Sequence, residues 1–341
     1  MHGVIYAKIK KKFEIRLLNL KSFIIEKNDS GQRLDKFITK SLPNLPKALM
    51  YKYIRIKRIK VNGKRAEIST RLNVGDKVDM YINDEFFEKS ETRYDFLSAS
   101  KNLDIIYEDD NIMLLNKKVG LLSHPDDSEY IDTLITRVKR YLCEKGEFQP
   151  DSESSFTPAL VNRIDRNTGG IVIAAKTAAA LRILNQKMKD RELHKMYLCV
   201  VHGKLKEDAD LLEGYLVKDE NKNKVFVSKT KKDENSKLIR TKYRVLDYKN
   251  GLSLVEVDLL TGRTHQIRAH FASIGHPLLG DGKYGTNALN KKSGLKKQCL
   301  CSYKLTFDFV TDAGELEYLN KKTFEIKDVW FRTEFDNLLK N

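Results

Sequence analysis

The amino-acid sequence predicts an α+β protein: a mixed, largely antiparallel sheet with flanking helices, preceded by a small α/β unit. Three observations carry this reading. Apolar runs of strand length, such as Lys195-Met196-Tyr197-Leu198-Cys199-Val200-Val201 and Ser253-Leu254-Val255-Glu256-Val257-Asp258-Leu259, outnumber helical stripes. They do not alternate with helices in the regular way of a parallel sheet. A polar, acidic stretch carrying Asp84, Glu85, Glu88, Glu91 and Asp95 separates a short basic unit from a longer remainder.

Length and composition bound the rest. The 341 residues suit two domains. The expected division is a basic extension at 1–21, a small domain at 22–83, an acidic linker at 84–100 and a main domain at 101–341. Charged residues make up 32%, but 41% hydrophobic residues exclude general disorder. The formal net charge of +16 favours a polyanionic partner. Cys143, Cys199, Cys299 and Cys301 form no Cys-x-x-Cys pair and read as reduced thiols of a cytoplasmic protein. The basic start lacks the sustained apolar core of a signal peptide or membrane span, so no membrane partner is expected.

Taken in order, Leu34, Phe37, Ile38 and Leu42 follow helical spacing, and Leu49, Met50, Tyr53 and Ile54 mark a second helix beyond Pro43 and Pro46. Val61-Asn62-Gly63-Lys64 reads as a strand end with an Asn-Gly turn. Eight basic residues, namely Lys47, Lys52, Arg55, Lys57, Arg58, Lys60, Lys64 and Arg65, fall within residues 47–65 without one carboxylate. That density suits a phosphate backbone. In the main domain, residues 104–110 and 112–117 read as two strands, and Leu134, Ile135, Val138, Tyr141 and Leu142 as a helical stripe. Leu181, Leu184 and Met188 mark another helix, residues 207–237 read as charged hairpins and loops, and residues 265–274 as a helix ended by Gly275. Residues 300–309 read as a late strand.

One stretch carries the chemistry: Asn162-Arg163-Ile164-Asp165-Arg166-Asn167-Thr168-Gly169-Gly170, followed by the apolar run Ile171 to Ala175. Cations beside a carboxylate favour its ionised form. An ionised carboxylate on a turn at the mouth of a sheet is placed to act as nucleophile or base. Gly280-Asp281-Gly282-Lys283-Tyr284-Gly285 matches Gly-x-Gly-x-x-Gly, yet it opens no helix and follows no buried first strand, so a dinucleotide is not expected. His265 and His270 are five apart, off the spacing that puts two ligands on one helical face, and no metal is expected. They read as structural hydrogen-bonders.

Two segments of the chain resemble known families. Arg33-Leu34-Asp35-Lys36-Phe37, the basic second helix, Val61-Asn62-Gly63-Lys64 and Val74-Gly75-Asp76 resemble the small RNA-binding domain shared by a small-subunit ribosomal protein, tyrosyl-tRNA synthetases and many RNA-modifying enzymes. Asn162 to Lys176, Lys195-Met196-Tyr197 and Thr261 to Gly285 together resemble the RluA-type family of pseudouridine synthases. Pro46-Lys47 with Tyr53-Ile54-Arg55 is most similar to its RluC-like members, which modify large-subunit ribosomal RNA. The resemblance implies an isomerase that flips a uridine out of folded RNA and rejoins its base through carbon, with no cofactor, acting as a monomer. It implies Asp165 as the ionised catalytic aspartate, Tyr197 as the tyrosine against the target base and Arg268 as the basic partner of the aspartate. Arg163 would fill the place of the flipped base, and Ile267 and Leu198 would line the base pocket. Lys47, Lys52, Arg55, Arg58, Lys60 and Lys64 would grip the RNA. This chain departs from the family's pattern at Asn162, where His is usual, at Lys117-Lys118, where Lys-Pro is usual, and at Leu300-Cys301-Ser302, where Leu-His-Ala is usual. The competing reading is a non-catalytic RNA-binding or ribosome-assembly protein on the same fold.

Overall fold

A computed structural model describes residues 20–88, 95–150, 155–219, 224–286 and 297–337. Residues 1–19 of the expected extension and 89–94 of the expected linker lie outside them. The chain forms two compact units, the first built on residues 20–88 and the second on most of the chain beyond residue 95, with 143–150, 155–157 and 177–179 grouped with the first.

The first unit comprises β1 (Leu20–Ile24), α1 (Leu34–Ser41), α2 (Lys47–Arg55), β2 (Ile59–Val61), β3 (Lys64–Arg65) and β4 (Lys77–Tyr81). Its sheet runs β1-β4-β2-β3, antiparallel throughout. Leu34, Phe37 and Ile38 of α1 and Met50, Tyr53 and Ile54 of α2 are buried together, as their spacing predicts. The β2–β3 turn is made by Asn62 and Gly63, both left-handed at φ 51° and 72°, which matches the twist of a two-residue hairpin. β1 begins at Leu20, inside the stretch read as a basic extension. Lys47, Lys52, Arg55 and Lys64 are exposed, while Arg58 and Lys60 are half-buried over the rings of Tyr53 and Tyr81, at 5.5 and 5.4 Å.

The second unit holds β5 (Ile105–Glu108), β6 (Ile112–Lys117), most of α3 (Leu134–Glu144), β7 (Ala159–Leu160), β8 (Gly169–Ala175), most of α4 (Ala178–Lys189), β9 (Leu193–His202), β10 (Ala209–Asp219) and β11 (Lys224–Ser228). These are followed by β12 (Lys237–Lys249), β13 (Leu252–Asp258), α5 (Gln266–Ser273), β14 (Leu300–Phe307), β15 (Thr323–Glu325) and α6 (Trp330–Asn337). The eleven strands form one sheet in the order β11-β10-β12-β13-β9-β14-β8-β6-β5, with β15 on β14 and β7 on β8. Every pair is antiparallel except β14–β8, so the predicted mixed, largely antiparallel sheet is what forms.

That single parallel pair positions the site. Ser302 of β14 sits opposite Gly170 of β8 on one side and opposite Tyr197 of β9 on the other. The late strand therefore sets the spacing between the strand that follows Asp165 and the strand that carries Tyr197. Gly170 is required there. Its φ is 115°, and a Cβ would lie 2.3 Å from the Ser302 carbonyl oxygen.

Apolar clusters cover the sheet. Ile171, Ile173, Leu184, Leu193, Leu305 and Phe307 form one, and Leu198, Val200, Leu254, Cys301, Phe331 and Phe335 another. Burial of this kind contributes roughly 25 cal/mol per Å² of apolar surface. Helix α5 rests against β11 and β12, with Phe271 edge-on to Tyr243 at 5.6 Å. Among the described residues no helix is long and apolar enough to cross a membrane.

Candidate active site

Asp165 lies in the turn between β7 and β8. Its carbonyl accepts the Thr168 amide at 3.0 Å, closing the turn just before β8. The turn is tied down from beneath. The side chain of Lys117, at the end of β6, is buried, and its Nζ donates to the carbonyl oxygens of Lys118, Leu121 and Arg166 at 3.2, 2.7 and 3.1 Å. Burial pushes the Lys117 ammonium down to about 7, with the Asp165 carboxylate pulling the other way. The Ser123 hydroxyl holds the Ile164 carbonyl at 3.1 Å, and Gln298 donates to the Thr168 hydroxyl at 2.8 Å.

The Asp165 side chain meets a cation from a distant part of the chain. Arg268 of α5 donates from a terminal nitrogen to Asp165 Oδ2 at 2.8 Å, across 103 residues. Arg163 and Arg166, near Asp165 in sequence, line the same cavity, and neither is hydrogen-bonded to its carboxylate. Arg166 donates through Nε to the Gly120 carbonyl at 3.1 Å, and Arg163 stands exposed at the cavity rim.

Arg268 is itself held. Its Nε and other terminal nitrogen donate to both oxygens of Asp281, at 2.7 and 2.9 Å, in a bidentate pair. Asp281 is fully buried and also accepts the Lys283 and Tyr284 amides at 2.8 and 3.1 Å. Burial alone pushes the Asp281 carboxyl up, but the Arg268 guanidinium and these amides bring it below the usual carboxylate range. The guanidinium plane is fixed by Asp281, so its one remaining edge is aimed at Asp165. From the sequence, the Gly-rich loop around Asp281 shows only a failed dinucleotide motif. The available signal is an aspartate between glycines, 13 residues beyond Arg268.

Asp165, Tyr197 and Arg268 line one cavity of about 830 Å³, together with Arg163, His265 and Ile267. Tyr197 is 6% exposed, and burial pushes its phenol up to about 12, partly offset by the Ser302 hydroxyl. Lys195, two residues earlier on β9, also faces the cavity, and burial pushes its ammonium down to about 8. His270 is the structural hydrogen-bonder that the sequence predicts: it is buried and bonded to the Thr241 hydroxyl at 2.9 Å. His265 is also hydrogen-bonded, through Nδ1 to the Tyr284 hydroxyl at 3.0 Å, and in addition it lines the cavity, with Nε2 3.8 Å from Asp165 Oδ2.

Leu198 is a correction. Successive residues of a strand face opposite sides. Tyr197 faces the cavity, so Leu198 packs into the apolar cluster with Leu254 and Cys301 and is absent from the cavity wall. The six basic residues expected to grip RNA all lie on the first unit. The departures from the family pattern have structural roles. Asn162 accepts the Ile173 amide at 2.9 Å and fastens its segment to β8, and Ser302 is the cross-strand neighbour of Tyr197.

The chain joins a small basic unit to a sheet that carries an arginine-braced aspartate, and comparison with known proteins gives its class. A family model described as RNA pseudouridylate synthase matches residues 111–273, a span that contains Asp165, Tyr197 and Arg268. An S4-domain model matches residues 32–78. The chain is 33% identical over 289 residues to an uncharacterised RNA pseudouridine synthase of Mycoplasma genitalium, covering 84% of this chain and 88% of the relative. It is 29% identical over 300 residues to ribosomal large subunit pseudouridine synthase C of Vibrio cholerae, covering 86% and 90%. In fold it resembles human RNA pseudouridylate synthase domain containing 4, with a TM-score of 0.51 at 21% identity, over 66% of this chain and 88% of that one. The chain belongs to the RNA pseudouridine synthase family.

Proposed function

We propose that this chain isomerises specific uridines of large-subunit ribosomal RNA to pseudouridine, with Asp165 as the reacting group. The observation that carries the proposal is the convergence of Asp165, Tyr197 and Arg268 on one cavity, with Arg268 donating to Asp165 at 2.8 Å. A stacked uridine must leave the helix before its sugar bond can be reached, at a cost of a few kcal/mol. Arg163, exposed at the rim, is placed to stack in the space the base vacates. In the cavity the bond from sugar to ring nitrogen breaks, the uracil turns, and a bond from sugar to ring carbon forms. The proton lost from that carbon is balanced by one gained at the freed nitrogen, so no donor group is consumed. Arg268 orients the Asp165 carboxylate, and Tyr197 offers a ring face to the base and a protonated hydroxyl.

The first unit is proposed as an RNA-binding domain and the second as the catalytic domain. The exposed Lys47, Lys52, Arg55 and Lys64 of the first unit would track the phosphate backbone. The S4-domain match and the large-subunit name of the Vibrio relative support this assignment.

Pseudouridine mapping of total ribosomal RNA tests the proposal. A strain lacking the gene should lose modification at one or a few large-subunit positions. Wild-type protein should restore them and Asp165→Ala should not. Unchanged maps in all three strains would overturn the assignment.

A further inference from the structure

The contacts of His265 are more specific than a structural histidine needs. It directly precedes α5 with φ 55° and ψ 17°, a left-handed conformation that costs a residue with a Cβ on the order of 1 kcal/mol or more. Such strain persists where surrounding contacts hold it. Here they are the Tyr284 hydroxyl, 3.0 Å from Nδ1, and the Tyr284 ring, edge-on at 5.6 Å. The other nitrogen, Nε2, faces Asp165 Oδ2 at 3.8 Å inside the cavity.

The direction of the protons is set by the third member of the chain. The Val225 amide of β11 donates to the Tyr284 oxygen at 3.1 Å. An amide only donates, so the tyrosine hydrogen is free to point at His265 Nδ1. Nδ1 then accepts, and a neutral ring carries its hydrogen on Nε2, toward Asp165. The ring is held neutral: burial lowers its pKa, as do Arg268 and Lys283, against Asp165 and Asp281. Tyr284, with the Lys224 ammonium 4.9 Å over its ring, packs against His265 as well, and Lys195, Arg163, Arg166 and Arg263 line the same cavity.

We propose that His265 is a positioning residue for Asp165: its Nε2–H, oriented by the Tyr284 hydroxyl, supports Oδ2 beside Arg268 and leaves Oδ1 facing the substrate. This rests on the reading of Asp165 as the reacting group. At 3.8 Å the contact is longer than a hydrogen bond, and catalytic hydrogen bonds are often long in the free enzyme and tighten on complex formation. Among the described residues Oδ1 accepts no side-chain hydrogen bond, while Oδ2 faces both donors. One oxygen is thus restrained and the other is open to react.

The test compares single-turnover pseudouridine formation and RNA affinity for wild type, His265→Ala, His265→Gln and Tyr284→Phe, each checked for folding by thermal melting. Nitrogen NMR of the free full-length protein adds the His265 tautomer. Gln places an N–H near the position of Nε2. The expected results are an Nε2–H tautomer, a rate loss of tenfold to a hundredfold or about that in His265→Ala with RNA affinity unchanged, and recovery to within about threefold in His265→Gln. Tyr284→Phe should slow turnover by an intermediate factor. An Nδ1–H tautomer, equal losses in the Ala and Gln variants, or a His265→Ala variant that keeps pace with wild type would each overturn the proposal alone. A wild-type protein that makes no pseudouridine would sink the reading of Asp165 itself.

Discussion

Asp281 grips Arg268 through both carboxylate oxygens, at 2.7 and 2.9 Å, and so fixes the guanidinium edge that reaches Asp165. The Asp165 carboxylate is oriented at second hand, by an aspartate bonded to Arg268 and not to it. Removing Asp281 leaves a buried guanidinium half-paired. Asp281→Asn should lower the turnover rate by tenfold to a hundredfold or about that, with little change in RNA affinity. Arg268→Lys should cost more, because a lysine cannot span two carboxylates with a rigid fork. Single-turnover rates and filter-binding affinities check both. Wild-type rates in Asp281→Asn would show that Arg268 needs no second anchor.

Tyr197 should work as a protonated phenol. Burial pushes it up to about 12, so the hydroxyl keeps its proton through neutral and mildly alkaline pH. The pH–rate profile should show no tyrosine limb near the ordinary value of 10.0. Tyr197→Phe keeps the ring and should bind RNA normally while forming product about a hundredfold more slowly, the usual scale of a lost proton relay. A limb near 10 that vanishes in Tyr197→Phe would contradict this.

Lys117 couples stability to pH. Burial lowers it from 10.5 to about 7 in the folded chain. Between those values the unfolded chain carries a proton that the folded chain does not, so stability rises with pH. The contribution is fully present above the unfolded value and is lost as pH falls toward about 7. Urea unfolding of wild type and Lys117→Met at about pH 6.5 and about pH 9.5 reads it. The difference should shift toward wild type at the higher pH, and a pH-independent difference would refute the shift.

The basic face of the first unit should show in salt dependence. Changing exposed Lys47, Lys52, Arg55 and Lys64 to Gln should make the slope of log affinity against log salt shallower by roughly 0.7–0.9 for each phosphate left without its cation. Turnover of saturating RNA should be unchanged. An unaltered slope would remove this face from the RNA interface.

Local patterns make much of this legible in the sequence. The alternation in residues 253–259 and the apolar run after Gly170 predict β13 and β8, and the helix expected at 265–274 forms as Gln266–Ser273. Family motifs point to Asp165, Tyr197 and Arg268, and the fold brings them to one cavity. Long-range pairing is what local pattern does not carry. Arg163 and Arg166 flank Asp165 in sequence and line the same cavity, but the ion pair to its carboxylate comes from Arg268, across 103 residues. Asp281 matters only because the loop after α5 folds back onto Arg268. Leu198 falls outside the base pocket because a strand that turns Tyr197 into the cavity turns its neighbour into the core. Beyond residue 309, β15 is set by pairing with β14, and Phe331 and Phe335 of α6 pack with Leu198, Leu254 and Cys301 from far earlier in the chain, contacts that local pattern does not carry.

The most direct test is single-turnover conversion of a ribosomal RNA substrate by purified Asp165→Asn, which keeps the shape of the side chain and removes its charge. Pseudouridine should stay at the level of the enzyme-free control, with RNA affinity within about threefold of wild type, since binding rests on other residues. Product at a rate within about tenfold of wild type would contradict the assignment of Asp165 as the reacting group.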